Sequence, residues 1–480
     1  EPNFQYIDYL ISSVARSTGN APSMSAQLAY FGRLTYSYDN RYNFQANFRA
    51  DAYDTSKLSE QARWGYFPSF SAGWTVSNES WFKDNISRDA VSFLKFRGSW
   101  GQNGNVNVLS GYPYATTISK GNSFYQYDVD KSGAVSSSSP SGLPNPNLSW
   151  ETSEQIDLGL DARFLNNRLS LGVDFFDKRT KDLLFSKPTP PELGVSSVTV
   201  NGGQVLNQGI ELELSWKDQI GDFSYGITGN FSSLKNKVLE LPEGTSRVIR
   251  TDASSSNYPI QTVFEAGYPV WYLRGYEYAG ANASGSNVVE HLIDQNGDGK
   301  YNELDCVEIG NPHPDFTLGF NLSLQWKGLD FSINGSGAFG QQVMQSYRQF
   351  ALQELESYSN NFVNRLWTGE GSTNKFPRFS HGSHNNFKCN GYNSDIWCQD
   401  ADYIKIRNIT LGYDLKKAIK GLPFQMFRIF VSGQNLFTFT GYDGMDPEVG
   451  YGYGYSWASG IDVGYYPSPK VYMAGVSIKF

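Results

Sequence analysis

The sequence predicts an all-β fold, an antiparallel barrel whose strands cross a membrane, and three observations predict it. Apolar residues recur at every second position over many segments, which marks strands with one apolar face. The connections between those segments alternate between very short and very long, as in barrels with tight turns at one rim and large loops at the other. No window approaches the roughly 20 consecutive apolar residues of a membrane helix, so a bilayer would have to be spanned by strands.

Composition agrees. The 480 residues include 31 Tyr, 32 Phe and 48 Gly at a mean hydropathy of −0.44. Only alternate residues of a barrel strand meet lipid, so the average stays close to that of a soluble protein. A net charge of −8, a pI near 5.2 and the lack of any basic run argue against a nucleic-acid footprint.

The alternation is clearest where Ile210, Leu212, Leu214 and Trp216 interleave with Glu211, Glu213 and Ser215. It recurs over Ile156 to Phe164, with Asp157 and Asp161 on the opposite face, over Phe316 to Trp326, and over Tyr472 to Phe480. About thirteen strands are expected, near 25–38, 42–52, 65–77, 92–103, 151–164, 168–178, 203–217, 222–234, 314–327, 329–343, 401–414, 426–440 and 469–480.

Short connections fall near 39–41, 165–167, 218–221 and 328, with helix-like segments near 78–91 and 415–425. Long ones fall near 53–64, 104–150, 179–202, 235–313, 344–400 and 441–468. A soluble sandwich also alternates, but it has no reason to keep every long connection at one end. Counting back from a periplasmic C-terminus puts all the long connections outside and sets Trp216 and Trp326 in the periplasmic aromatic girdle. Between Arg407 and Asn408 the pattern slips, with Ile404 and Ile406 giving way to Ile409 and Leu411; a β-bulge is expected there.

Single-chain bacterial barrels normally have an even strand number. The odd count, together with a chain that starts at Glu1 without Met or a signal segment, leads us to expect that the first strands lie outside this sequence.

The sharpest chemical motif runs from Asp294 through Asn296 and Asp298 to Lys300 and Asp305. Oxygen ligands at positions one, three, five, seven (a backbone carbonyl) and twelve, with a glycine at six, are the arrangement of a calcium loop. Asp305 replaces the usual Glu, and a solvated Asx-rich turn is the alternative. Tyr451, Tyr453, Tyr455 and Trp457, in the last long connection, are candidate substrate contacts, because each offers a flat apolar face with a polar edge to a sugar ring or a peptide. The alternative is that they pack loops together or against a partner.

Cys389 and Cys398 are expected to form a short-loop disulfide in an oxidising compartment, leaving Cys306 unpaired. His381 and His384 lack an identifiable third metal ligand and are read as loop histidines. Glu211, Glu213, Asp157 and Asp161 are read as lumen wall. Since no nucleophile elbow, phosphate loop or zinc-protease motif is present, no catalytic residue is assigned and no enzyme activity is expected.

Several stretches, taken in order, resemble the SusC/RagA family of TonB-dependent outer-membrane transporters of Bacteroidetes. They are Phe67-Pro68-Ser69 with Gly73-Trp74 and Ser77-Asn78-Glu79, then Leu94 to Gly101 with Gly104-Asn105, and Asn207-Gln208-Gly209-Ile210-Glu211. Further along come Asp294 to Asp298 with Asn311-Pro312 and Pro314, Ile404 to Tyr413, and Gly433-Gln434-Asn435-Leu436 leading to Asp446-Pro447-Glu448. The resemblance covers the chain from about residue 28 onward and makes residues 1–480 the C-terminal part of such a barrel. It implies a probable 22-stranded barrel in the outer membrane, with an N-terminal plug and TonB box outside this chain.

It further implies active import of an oligosaccharide or oligopeptide, with a SusD-like surface lipoprotein and the TonB-ExbB-ExbD system as partners. Calcium in an outer loop is the one cofactor expected. A passive porin or a surface-binding barrel is the alternative.

Overall fold

The computed structural model describes residues 26–54, 56–109, 111–126, 134–140, 142–195, 197–252, 260–280, 291–347, 365–378, 393–419, 421–448 and 456–480. Its framework is one sheet of thirteen strands, each hydrogen-bonded to the next along the chain. The wall strands are β1 (Gln27–Tyr38), β2 (Tyr42–Tyr53), β3 (Trp64–Thr75), β4 (Val91–Asn105), β5 (Glu151–Phe164), β6 (Leu169–Lys181) and β7 (Gln204–Ile220). They continue with β8 (Phe223–Glu240), β9 (Phe316–Trp326), β10 (Leu329–Phe339), β11 (Tyr403–Asp414), β12 (Met426–Thr440) and β13 (Val471–Lys479). Every neighbouring pair is antiparallel, as an up-and-down barrel wall requires. The thirteen expected strands are these thirteen.

The two faces separate as the alternation predicts. Ile156, Leu158, Ile210, Leu214, Val476 and Ile478 stand exposed on the outer face, where lipid replaces the core a soluble sheet would need. Tight turns close the periplasmic rim. Asp39 and Asn40, then Leu165, Asn166 and Asn167, adopt positive φ, a conformation that Asn and Asp tolerate better than most residues. The longer periplasmic connection after β3 folds into a short helix, α1 (Ser80–Asn85).

β6, β7 and β8 extend further than expected, to Lys181, Ile220 and Glu240. At the outer end of β6 both faces turn polar, and at that of β8 Lys235 and Lys237 replace the apolar outer face, so a period of two leaves no apolar outer face to read. The long connections also carry structure of their own. Arg247–Asp252, Ile260–Glu265, Tyr272–Gly275 and Val307–Gly310 form a four-stranded sheet. Gln342–Gln345 pairs with Cys398–Asp400 and, in parallel, with Ile461–Asp462. Ala134–Pro140, within the long 104–150 connection, pairs with Ile118–Gln126.

The largest buried apolar cluster lies in this outer head and not in the wall, and includes Leu273, Tyr276, Met344, Phe376, Trp397 and Ile461. Head and wall therefore obey different rules. The wall is held by register and lipid, the head by burial from water.

Candidate functional site: the lumen wall and its outer clasp

The inner face carries the charges that the alternation assigns to it. Arg97 on β4 donates to Asp161 at 3.1 Å and to Asp174 at 2.6 Å, tying three adjacent strands together. Gly159 lies beneath this triad, where a Cβ would meet the guanidinium carbon of Arg97 at 2.6 Å. Ser99 and Gln155 both donate to Asp157. Arg97, Asp161 and Asp174 border an open cleft of about 930 Å³, lined also by Glu211 and Glu213, while Ser99 and Asp157 line another cleft that Arg97 also borders. The four carboxylates read as lumen wall thus lie on the inner face, where a polar interior is what a barrel provides.

At the mouth of the lumen the last outer connection dips onto the wall. Lys405, with its side chain only 2% exposed, donates to Asp446 at 2.5 Å and to Glu448 at 2.8 Å. Arg407 holds both oxygens of the same Glu448 and donates to Ser336 on β10 at 2.8 Å. The expected bulge is what places Arg407 here: the pairing of β11 with β12 skips from Ile406 to Asn408. Tyr403 donates to Glu448 at 3.2 Å, and Asp446 accepts from the Ser468 N–H at 3.1 Å.

Burial opposes ionisation of Glu448, but the hydrogen bonds from Arg407 and Lys405 outweigh it and bring its pKa down to about 2. Asp446 is likewise lowered against its burial, by Lys405 and two backbone N–H groups. Sequence reasoning assigned no role to this clasp. The signal available was two inward cations on β11 preceding a short Asp-Pro-Glu segment.

A second clamp closes the periplasmic rim. Glu79 accepts from Tyr42 at 2.6 Å, from Arg41 at 2.9 Å and from the Trp74 indole at 2.9 Å. The Tyr42 and Trp74 hydrogen bonds lower its pKa in spite of burial. The Ser77-Asn78-Glu79 segment quoted above therefore fastens α1 to β2 and β3.

The calcium candidates fold as a chain of Asx turns. Asp294 accepts from the N–H groups of Gly297 and Gly299, both at 2.7 Å, and the Gly299 contact leads in lowering its pKa. Asn296 accepts from Asp298 N–H and Asp298 from Lys300 N–H. Asp305 is fully buried, with its oxygens on the N–H groups of Gln295 and Asn302. Among the described residues no three His, Cys, Asp or Glu side chains gather as a metal group.

Of the aromatic candidates, Trp457 packs against the head cluster, whereas Tyr451, Tyr453 and Tyr455 lie outside the described residues, as do His381 and His384. Of the expected disulfide pair, only Cys398 lies among the described residues, with Cys389 outside them. Among those residues Cys398 carries a free thiol. The Cys398 Sγ points into the head, where a Cβ on Gly310 would meet it at 2.6 Å, and burial pushes its pKa up to about 12. Cys306 is free, as expected.

A lipid-facing sheet with a charged inner wall and all large loops at one rim defines an outer-membrane β-barrel. The chain belongs to the TonB dependent receptor-like, beta-barrel family, whose model matches residues 3–436.

The TonB-dependent receptor P3 of Formosa agariphila is 31% identical over 477 residues, covering 94% of this chain and 45% of that protein. The TonB-dependent receptor SusC of Bacteroides thetaiotaomicron is 29% identical over 94% of this chain and 44% of that protein. The chain thus spans about half the length of the curated relatives it matches. The fold is shared with the RagAB peptide transporter at a TM-score of 0.76 and 24% identity, over 99% of this chain and 51% of that one.

Proposed function

We propose that this chain supplies barrel wall and outer loops to a TonB-dependent importer that carries a large nutrient, an oligosaccharide or oligopeptide, across the outer membrane. The family match over residues 3–436 carries this reading. The charged lumen wall roofed by folded outer loops supports it, since a polar path under a loop roof suits a hydrated ligand. The partners we propose are a SusD-like surface lipoprotein on the outer head and TonB-ExbB-ExbD acting through a region outside this chain. The likeness to a peptide transporter supports an oligopeptide, and the relation to SusC supports a lipoprotein partner.

The test is uptake of labelled oligosaccharide and oligopeptide pools by cells carrying the full-length protein, with and without TonB. Uptake lost without TonB is expected; uptake that persists unchanged would favour the passive porin. For the loop from Asp294 to Asp305 we propose calcium, held by Asp294, Asn296, Asp298, the Lys300 carbonyl and Asp305, on the support of their spacing. The competing account is a loop whose carboxylates are satisfied by backbone N–H groups. Calorimetric titration of the full-length protein with calcium chloride separates them: saturable heat abolished by Asp298→Ala supports calcium, and its absence supports the self-sufficient turn.

A further inference from the structure

The lipid-facing side of β5 to β8 can be read in rows, because the register sets every second residue of each strand side by side. The row through Leu158, Phe175 and Ile210 is apolar. One row further out, Asp177 and Lys235 flank Gln208, and in the next Arg179 and Lys237 flank Leu206. In the row beyond, Lys181 and Glu240 flank Gln204. Two residues of strand rise about 6.6 Å, so apolar wall gives way to charge over a single step.

These side chains point outward. The Trp100 indole, stacked with Phe70 on the outer face, donates to Glu154 at 2.8 Å, and Lys181 reaches the same carboxylate at 2.5 Å. Val205 and Val238, whose positions alternate with these, are buried on the opposite side under the outer head. The charge is unbalanced. Lys181 has Glu154 and Arg179 has Asp177, at 2.9 Å, but among the described residues no carboxylate reaches Lys235 or Lys237.

Four cations against three carboxylates, with Lys235 and Lys237 unpaired among the described residues, leave a positive rim directly above the acyl zone. Arg179 and Lys237 sit two strands apart, about 10 Å between backbones, close enough for long side chains to converge on one anion. An occupant must present an anion next to its own apolar part, since the cationic rows continue without a break into the apolar one. A free anion would leave the apolar rows unused, and an acidic protein would have to enter the lipid layer.

We propose that this rim binds the phosphate groups of a phosphorylated outer-leaflet glycolipid, with Lys235, Lys237 and Arg179 on the phosphates and the row of Leu158, Phe175 and Ile210 against the acyl chains. The assignment rests on the membrane orientation and is independent of what the barrel transports. Two surface lysines near an anionic lipid plane contribute about 1 kcal/mol each, or about thirtyfold in affinity together.

The test is native mass spectrometry of the full-length protein in mild detergent, titrated with phosphorylated lipid A and with its dephosphorylated counterpart. Preferential retention of the phosphorylated lipid is expected, about thirtyfold weaker in Lys235→Gln/Lys237→Gln, restored in Lys235→Arg/Lys237→Arg and unchanged in the inward-facing control Lys95→Gln. Equal retention by wild type and the Gln variant, or of both lipids, would overturn the proposal. So would displacement of the lipid by millimolar inorganic phosphate, which would mark a generic anion site. Should the Gln variant not fold, the wild-type protein decides: raised salt is expected to release the phosphorylated lipid and spare the dephosphorylated one, and no difference between them overturns the assignment.

Discussion

Lys405, near the outer end of β11, holds Glu448 at 2.8 Å, joining the lumen wall to the last outer connection across 43 residues of chain. Removing the cation leaves Asp446 without its charged partner and Glu448 with Arg407 as its remaining cation. Lys405→Met is expected to loosen residues 441–448 by about 3–5 kcal/mol, the usual cost of breaking a buried pair. Hydrogen exchange on that segment measures it, and adding Asp446→Asn, which neutralises the carboxylate left without a cation, should recover part of the loss. Unchanged exchange in the single variant would show that the clasp holds nothing.

The same clasp sets a pH window. Glu448 has a folded pKa of about 2 against an ordinary 4.5. A depressed carboxylate pKa contributes stability that is complete above the unfolded value and is lost as pH falls through the folded one. Exchange protection of residues 441–448 should therefore be flat above about pH 4.5 and decline toward pH 2. Loss of protection already near neutral pH would contradict this.

At the opposite rim, Glu79→Leu removes the acceptor shared by Arg41, Tyr42 and Trp74. Tyr42 and Trp74 then lose that partner, while Arg41 keeps Asp39 at 3.0 Å. A lower denaturant midpoint on refolding into lipid vesicles is expected, with a changed Trp74 emission; Glu79→Gln, which keeps an acceptor, should lose less.

Gly209 sits in β7 where a Cβ would come within 1.9 Å of the Ser233 carbonyl oxygen and 2.8 Å of the Phe176 ring. Backbone cannot yield as a flexible side chain does. Gly209→Ala is expected to cost about 1–3 kcal/mol, read as the shift in refolding free energy, and a neutral result would disprove the close approach.

Two arginine substitutions distinguish the faces of the wall. Leu214, between the periplasmic Trp216 and the outer charged rows, is 47% exposed on the outer face, so Leu214→Arg in lipid should cost about 2–4 kcal/mol. Ser232→Arg, beside the inner cleft, should cost far less. Equal costs would mean that the outer face does not meet lipid.

Burial pushes the Cys306 thiol up to about 11 and the Cys398 thiol up to about 12, so both stay protonated at pH 8. Maleimide should leave them unlabelled in the folded protein and modify them after denaturation. A Cys389–Cys398 cross-link in a non-reducing peptide map would sink the free-thiol assignment.

The wall was legible because its determinants are local and periodic. Ile210 to Trp216 alternate with Glu211 to Ser215, and each strand repeats that contrast without reference to any other. The bulge was legible for the same reason, as a slip in phase at Arg407. Legibility failed where the apolar outer face gives out, at the outer ends of β6 and β8, and where partners are remote. Lys405 and Asp446 lie too far apart for any period to connect them, and the inward-pointing thiol of Cys398 follows from the placing of Gly310.

By itself the sequence determined the strands, their faces and the single rim that carries the long connections, because lipid and lumen select alternate residues along each strand and successive strands reverse direction. Only the tertiary structure decided how those connections fold into a head, which carboxylates clasp the wall and which cations crowd the outer rim. Those are contacts between segments far apart in the chain, fixed by register and burial, and neither leaves a repeating mark in the order of residues.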